Sequence, residues 1–114
     1  MPWQQNISPY KVWISEIMLQ QTQVSTATPY FLEFIQKFPD VDVLANSSED
    51  EVLSYWSGLG YYTRARNILK SAKIIKSEFK SKIPESIEEL ISLPGIGRST
   101  AGAIRSIGYG LKAP

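Results

Sequence analysis

"LPGIGRSTAG", Leu93 to Gly102, is the stretch on which the reading of this chain turns. A proline precedes two glycines set one residue apart, and small polar residues then lead into an apolar run. Gly95 and Gly97 give the backbone conformations that other residues resist, and their missing side chains let another backbone come close. A helix starting at Arg98 would turn its first free N–H groups, and the positive end of its dipole, outward. Two readings are open. The turn is a glycine-capped joint between two helices, or it is a seat for a phosphate, with Arg98 and Thr100 adding side-chain contacts. Both make residues 86–108 a helix–turn–helix unit.

Working outward, helix signals follow one another and no strand-like alternation appears. Ser8-Pro9 pairs an N-cap with a proline at the first helical position, opening a helix to about Leu19. "QVSTATPYFLEFIQKFP" reads as a second helix ending before Pro39; Pro29 inside it predicts a kink or a late start. "VDVLAN" is a short helical turn. Ser48 to Glu51 has capping-box spacing, with a helix to Ser57 that Gly58-Leu59-Gly60 ends. From Tyr61 to Lys80 the residues Ala65, Ile68, Leu69, Ala72, Ile75 and Phe79 keep a helical period. Ser86 to Glu89 is a second capping box, for a short helix to Leu93, and Arg98 to Ile107 is the last helix. The fold class is all-α: about six helices joined by short loops, in one module over 1–114.

Composition narrows the chemistry. The chain has 114 residues, 43% of them hydrophobic, enough for one small core. It has no cysteine and no histidine. Disulfides, thiolate metal sites, cysteine nucleophiles and the usual general base are therefore excluded, and acid–base chemistry would fall to carboxylates. No metal site is expected. No apolar run approaches the roughly 18 residues of a membrane span. Nothing at the start reads as a signal peptide, so no membrane is expected and the location reads as cytoplasmic. A net charge of +1 gives no global argument for nucleic acid, which must rest on local features.

The first helix, "PYKVWISEIMLQQ", is apolar almost all round. At about 100° per residue, Lys11 and Ser15 mark its solvent side. Glu16 and Gln20 lie away from that side, near Val12, Trp13 and Leu19. A carboxyl among large apolar groups is costly to ionise, so its pKa rises and it can deliver a proton near neutral pH. The alternative is that Glu16 pairs with Arg64 or Arg66. Gln20 and Gln21 directly after it offer a donor and an acceptor together, which suits a planar base edge. "GLGYYTRARN" then sets two tyrosines and two arginines beside a flexible tip. Tyr61 and Tyr62 are either stacking groups for bases or a core pair. Lys70, Lys73, Lys76 and Lys80 read as a solvated face.

Together, "PWQQNISPYKVWISEIMLQQTQV", Trp56 to Leu69 and "LPGIGRSTAGAI" resemble the helix-hairpin-helix DNA glycosylases, and among them the adenine-specific MutY family. The resemblance covers Pro2 to Pro114 and implies the six-helix barrel module of that fold. It implies that Glu16 is the catalytic acid, protonating N7 of a flipped-out adenine mispaired with 8-oxoguanine or guanine in double-stranded DNA. Flipping is required because the glycosidic bond is unreachable inside a duplex. Trp3, Leu19 and Val24 match walls of the base pocket, with Gln20 beside the base. Gln21 and Thr22 fall at the stack, Tyr61 is the duplex wedge, and Gly95, Gly97, Arg98 and Thr100 grip the backbone.

Position 99 separates the relatives. Endonuclease III-like enzymes carry a lysine there that forms a Schiff base; Ser99 lies at the substrate side here and implies hydrolysis by water. The family also has a catalytic aspartate, four cysteines holding a [4Fe-4S] cluster and a C-terminal domain that recognises 8-oxoguanine. None is present in this chain, so the expectation is a partial catalytic domain, inactive alone, with no cofactor of its own and no obligate protein partner. An endonuclease III-like lyase and a non-enzymatic helix-hairpin-helix DNA-binding module are the alternatives.

Overall fold

In the computed structural model, which describes residues 7–20 and 22–111, the first helix decides how the others are arranged. That helix, α1 (Pro9–Leu19), opens as its sequence dictates: the Ser8 hydroxyl accepts from the Lys11 N–H and Pro9 occupies the first position. Seven of its eleven residues are buried. A helix apolar over most of its circumference cannot lie on a surface and must be surrounded. Packed against it are α2 (Val24–Lys37), α5 (Tyr62–Glu78), α7 (Arg98–Ala103) and a π-helical turn at Ile104–Gly108. The short helices α3 (Val41–Ala45), α4 (Glu49–Ser54) and α6 (Ile87–Ile91) complete the chain. No strand occurs among the described residues.

The core runs from Trp13, Ile14 and Met18 of α1 to Phe31, Phe34 and Phe38. It continues through Trp56, Ile68 and Ile75 to Leu90 and Ile104. Its aromatic part is built edge to face: Phe34 meets Trp56 at 6.0 Å and Phe38 meets Tyr55 at 5.4 Å between centroids. Tyr10 crosses this layer and donates to the Phe38 carbonyl at 2.6 Å, satisfying the one polar atom of its buried ring.

Local signals hold with shifted ends. The Ser48–Glu51 capping box is complete. At Ser86 only half of the second box forms: the Ser86 hydroxyl accepts from the Glu89 N–H and donates to the Glu89 carboxylate at 3.1 Å. Pro29 neither delays nor ends α2. It sits on the exposed face, and the carbonyl it leaves without a donor belongs to exposed Ser25. The lysines of α5 include two with definite tasks. Lys73 donates to the Ala45 carbonyl at 2.8 Å and Lys76 to the Asn46 side chain at 2.6 Å, both at the negative end of α3.

The last helix departs from expectation. It is regular only to Ala103, then widens, with Tyr109 N–H donating to the Ile104 carbonyl at 3.0 Å. The wider turn lays Gly108 on the start of α1, where a Cβ at 108 would stand 2.7 Å from the Pro9 Cα. Gly108→Ala should therefore destabilise the fold by about 1–3 kcal/mol through overpacking against rigid backbone. Gly102→Ala, where a Cβ meets nothing within 4 Å, should be neutral or stabilising by up to about 1 kcal/mol. Urea unfolding followed by circular dichroism checks both, and equal midpoints for the two variants would refute the close approach.

Candidate active site

Of the two residues expected on the solvent side of α1, Lys11 is half-buried, as Glu16 is, and Ser15 lies in the core. Ser15 is 4% exposed, and its hydroxyl turns back to the Val12 carbonyl at 3.0 Å. A serine satisfied by its own helix can be buried at little cost. Towards its C-terminal end the accessible residues are Glu16 and Leu19, which are half-buried, and Gln20, which is exposed. The helix thus opens where its acid stands. Burial raises the Glu16 pKa above the ordinary 4.5. No cation forms an ion pair with it among the described residues. Arg66 lies 3.7 Å from Glu49, and Arg64 is engaged with backbone carbonyls. The alternative in which Arg64 or Arg66 neutralises Glu16 is therefore not met, and the acid keeps a titration shifted by desolvation.

Arg64 is the residue whose role the sequence reading missed. The last turn of α1 carries no basic residue, and Gln20 stands where a glycine often ends a helix. Arg64 Nη1 supplies that end from α5, donating to the carbonyls of Ile17 at 2.8 Å, Met18 at 3.2 Å and Gln20. Its guanidinium also lies 5.4 Å from the ring centres of both Trp56 and Tyr61. Local N–H groups close only part of this end, Gln20 donating to the Ile17 carbonyl and Thr22 to the Leu19 carbonyl; which distant donor meets the rest was not legible. Below this contact, Trp13, Gln20, Arg64, Asn67 and Gly95 share the walls of a cavity of about 80 Å³.

The tip before α5 is held in a left-handed conformation at two successive residues, Gly60 (φ 72°) and Tyr61 (φ 51°). For tyrosine this costs on the order of 1–2 kcal/mol. The Trp56 indole N–H donates to the Gly60 carbonyl at 3.1 Å and the Tyr62 hydroxyl to the Ser57 carbonyl at 2.9 Å, fixing the loop. Tyr61 is consequently thrust out, 63% exposed. Tyr62 is exposed as well, so the two tyrosines are not a core pair.

The hairpin turn is anchored from inside: Leu93 and Ile96 are buried, and the Ser71 hydroxyl donates to the Pro94 carbonyl at 2.9 Å. Its two glycines differ. Gly95 has φ 80°, and a Cβ there would lie 3.1 Å from the Asn67 Cβ, so glycine is required by the fold. Gly97 is extended (φ −96°, ψ −177°), a conformation any residue adopts, and a Cβ on it would meet nothing within 4 Å. The fold does not explain Gly97. Arg98 and Ser99 are exposed in the first turn of α7. Thr100 is not available as an outward contact; it is 5% exposed and its hydroxyl faces the Gln20 amide at 3.5 Å.

Of the remaining expected site residues, Val24 is 41% exposed at the start of α2 and Leu19 half-buried at the end of α1. Thr22 is half-buried, its hydroxyl 3.5 Å from Arg64 Nη2. Trp3 and Gln21 lie outside the described residues. Glu16, Gln20, Tyr61 and the hairpin are thus connected through α1, Arg64 and the cavity walls. A cluster site is not supplied here: the chain has no cysteine, and the described residues hold no group of three or more His, Cys, Asp or Glu fit for a metal. Nor is any helix among them long and apolar enough to cross a membrane.

The profile of the HhH-GPD superfamily base excision DNA repair proteins matches residues 14–112, from the acid-bearing helix through the hairpin and beyond. The chain belongs to that superfamily. Among its HhH-GPD relatives, an adenine DNA glycosylase of Buchnera aphidicola subsp. Baizongia pistaciae is 60% identical over 97% of this chain and 32% of its own length. The human adenine DNA glycosylase is 47% identical over 89% of this chain and 19% of its own. The chain thus spans about a third of the bacterial relative. In fold it is similar to a thermostable thymine-DNA glycosylase (TM-score 0.91, 23% identity, 99% of this chain and 52% of that one). It is also similar to endonuclease III trapped covalently on DNA (TM-score 0.84, 23% identity, 90% and 49%).

For an HhH-GPD protein with this acid, the raised pKa fixes the sign of a stability effect. The native state holds the Glu16 proton more tightly than the unfolded chain, so stability falls as pH rises from the ordinary carboxylate pKa through the native one. Glu16→Gln should raise the melting temperature at about pH 7 and leave it nearly unchanged at about pH 3.5, where both forms are neutral. Thermal melts followed by circular dichroism read this; a lower melting temperature for the variant at neutral pH would mean that Glu16 is stabilised by a partner.

Proposed function

We propose that this chain is the acid-bearing part of an adenine DNA glycosylase. The enzyme would hydrolyse the N-glycosidic bond of adenine opposite 8-oxoguanine or guanine in duplex DNA. The observation that carries the reading is Glu16: a desolvated carboxyl with no ion-pair partner among the described residues, at the opening of a largely enclosed helix, where a purely architectural module needs no acid. The relatives named adenine DNA glycosylase supply the substrate.

The chemistry follows from the groups present. Adenine leaves poorly as an anion and well once a ring nitrogen is protonated, and a carboxyl whose pKa burial has raised keeps its proton to higher pH than an ordinary carboxylate does. The Gln20 amide, exposed beside Glu16, can pair with the edge of the base. Tyr61, thrust out on its constrained loop, would fill the space that the flipped nucleotide leaves. The hairpin N–H groups at Gly97, Arg98 and Ser99 would hold a phosphate of the same strand. Ser99 offers no amine for a Schiff base, so water is the nucleophile. The positive charge that develops on the sugar requires an ionised carboxylate as well as the protonated one. Glu88 and Glu89 stand in the first turn of α6, where Glu89 accepts from the Ser86 hydroxyl, and Glu85 just before it pairs with Lys82, so Glu85 and Glu89 are engaged locally. That second carboxylate, and the reading of 8-oxoguanine, would come from segments that the longer relatives have and this chain does not include.

Single-turnover adenine release from an adenine:8-oxoguanine duplex tests the reading. The 114-residue chain alone should release adenine slowly or not at all. Joined to the downstream part of an adenine glycosylase relative, it should release adenine, and Glu16→Gln should lower that rate by at least about 10²–10⁴-fold while DNA binding persists. Near wild-type release by Glu16→Gln would remove Glu16 from the chemistry, and a borohydride-trapped covalent adduct would move the protein to the lyases.

Gly97 provides a cleaner test of the hairpin, because nothing inside the protein objects to a side chain there. Gly97→Val should leave the melting temperature within a few degrees of wild type and weaken DNA binding on matched and mismatched duplexes alike, by about tenfold. Unchanged affinity would return the turn to a simple joint between α6 and α7.

A further inference from the structure

We infer that Arg64 is a positioning residue that locks the tyrosine-bearing tip to the end of the acid-bearing helix, so that wedge and acid are presented as one rigid unit. The inference rests, for its consequence on DNA, on the glycosylase reading above; the mechanical coupling itself rests on the protein alone.

Two structures that need outside support meet at this side chain. The first is the end of α1. Its final carbonyls point to one place, no lysine, arginine or glycine of its own closes it, and Arg64 Nη1 donates to three of them: Ile17, Met18 and Gln20. The second is the tip at Gly60 and Tyr61, held left-handed at a tyrosine. A strained non-glycine residue persists only where its surroundings fix it. Here the fixing groups are Trp56, whose indole N–H takes the Gly60 carbonyl, and Arg64, whose guanidinium lies 5.4 Å from both the Trp56 and Tyr61 ring centres. Arg64 follows Tyr61 by three residues, and its own N–H donates to the Tyr61 carbonyl at 3.0 Å.

The planar guanidinium is what makes both engagements compatible. Its edge carries N–H donors in a fixed fork, while its faces remain free for aromatic rings. A lysine ammonium could approach the same carbonyls but presents no flat face to the rings. Burial pulls the Arg64 pKa down somewhat, but an arginine retains its charge throughout the accessible pH range. The link is therefore independent of pH, unlike the acid it serves. Through it, a displacement of Tyr61 by an incoming duplex is transmitted to Gln20 and so to the turn of α1 that begins at Glu16.

The test has two arms, each using Arg64→Met, which keeps the apolar stem, and Arg64→Lys, which keeps the charge. In the first, amide hydrogen exchange is followed by mass spectrometry on the 114-residue chain well below the unfolding temperature of every variant. Both variants should lose protection on the order of tenfold in two separate segments together, 17–22 and 57–64, with α3 unchanged. Loss confined to 17–22 would make Arg64 a helix cap and nothing more, and loss in neither segment would remove the link; either result overturns the inference. In the second arm, fluorescence anisotropy measures binding to an adenine:8-oxoguanine duplex for Tyr61→Ala, Arg64→Met and the double variant. The double variant should bind no worse than the weaker single one, because both remove the same presented wedge. Additive losses, or full restoration of affinity by Arg64→Lys, would mean that Arg64 acts as a separate phosphate contact and would overturn the inference. Failure of wild-type chain to bind DNA would sink the glycosylase reading, leaving the coupling to be decided by the exchange arm.

Discussion

The arrangement depends on one constraint: α1 is apolar over most of its circumference. Val12, Trp13, Ile14, Ser15, Ile17 and Met18 are all buried, and they point in almost every direction around the helix axis. Such a helix is stable in water only when other elements enclose it. The long helices α2 and α5 and the hairpin's second helix do so, and the π-helical turn brings Gly108 onto its first residue. The sector left open is the one that contains Glu16 and Gln20. Enclosure and exposure of the acid are therefore one event, and the desolvation that raises the Glu16 pKa is a by-product of packing the core.

The same constraint explains why polar support for α1 comes from distant parts of the chain. A buried helix cannot rely on water to satisfy its terminal carbonyls. At its start, local sequence suffices, since Ser8 and Pro9 are adjacent. At its end, it does not, and an arginine 44 residues further on in α5 reaches the Gln20 carbonyl. Because that arginine also lies against the rings beside the strained tip, closing the helix and setting the tip have become linked. The fold thus gathers acid, amide, tyrosine and hairpin around one end of one helix, although they are spread from residue 16 to residue 99.

Glycine usage shows how a sequence motif divides into scaffold and function. Gly95 is required internally by a positive φ and by Asn67. Gly108 is required by Pro9, although nothing in the local sequence hints at it. Gly97, in the middle of the same turn, is required by neither. A residue type that internal packing does not demand is more informative about an external partner than one that it does.

The helices and most of their starts were legible from the sequence alone. Capping residues, proline at the first position, glycine punctuation and the 3.6-residue period are local, so Ser8, Ser48, Tyr61 and Ser86 marked element boundaries without knowledge of the rest. It also singled out Glu16, since a carboxylate among large apolar neighbours on a helix is anomalous wherever the helix lies. Tertiary structure alone decided which side of α1 is open. On a helix apolar over most of its circumference, periodicity gives little direction, and Ser15 lies in the core. It alone decided that Arg64 closes α1 instead of neutralising the acid, that Thr100 turns inward to Gln20, and that the last helix widens to reach Pro9. Each of these depends on contacts between residues far apart in the chain, and no local pattern encodes which distant partner a side chain will meet.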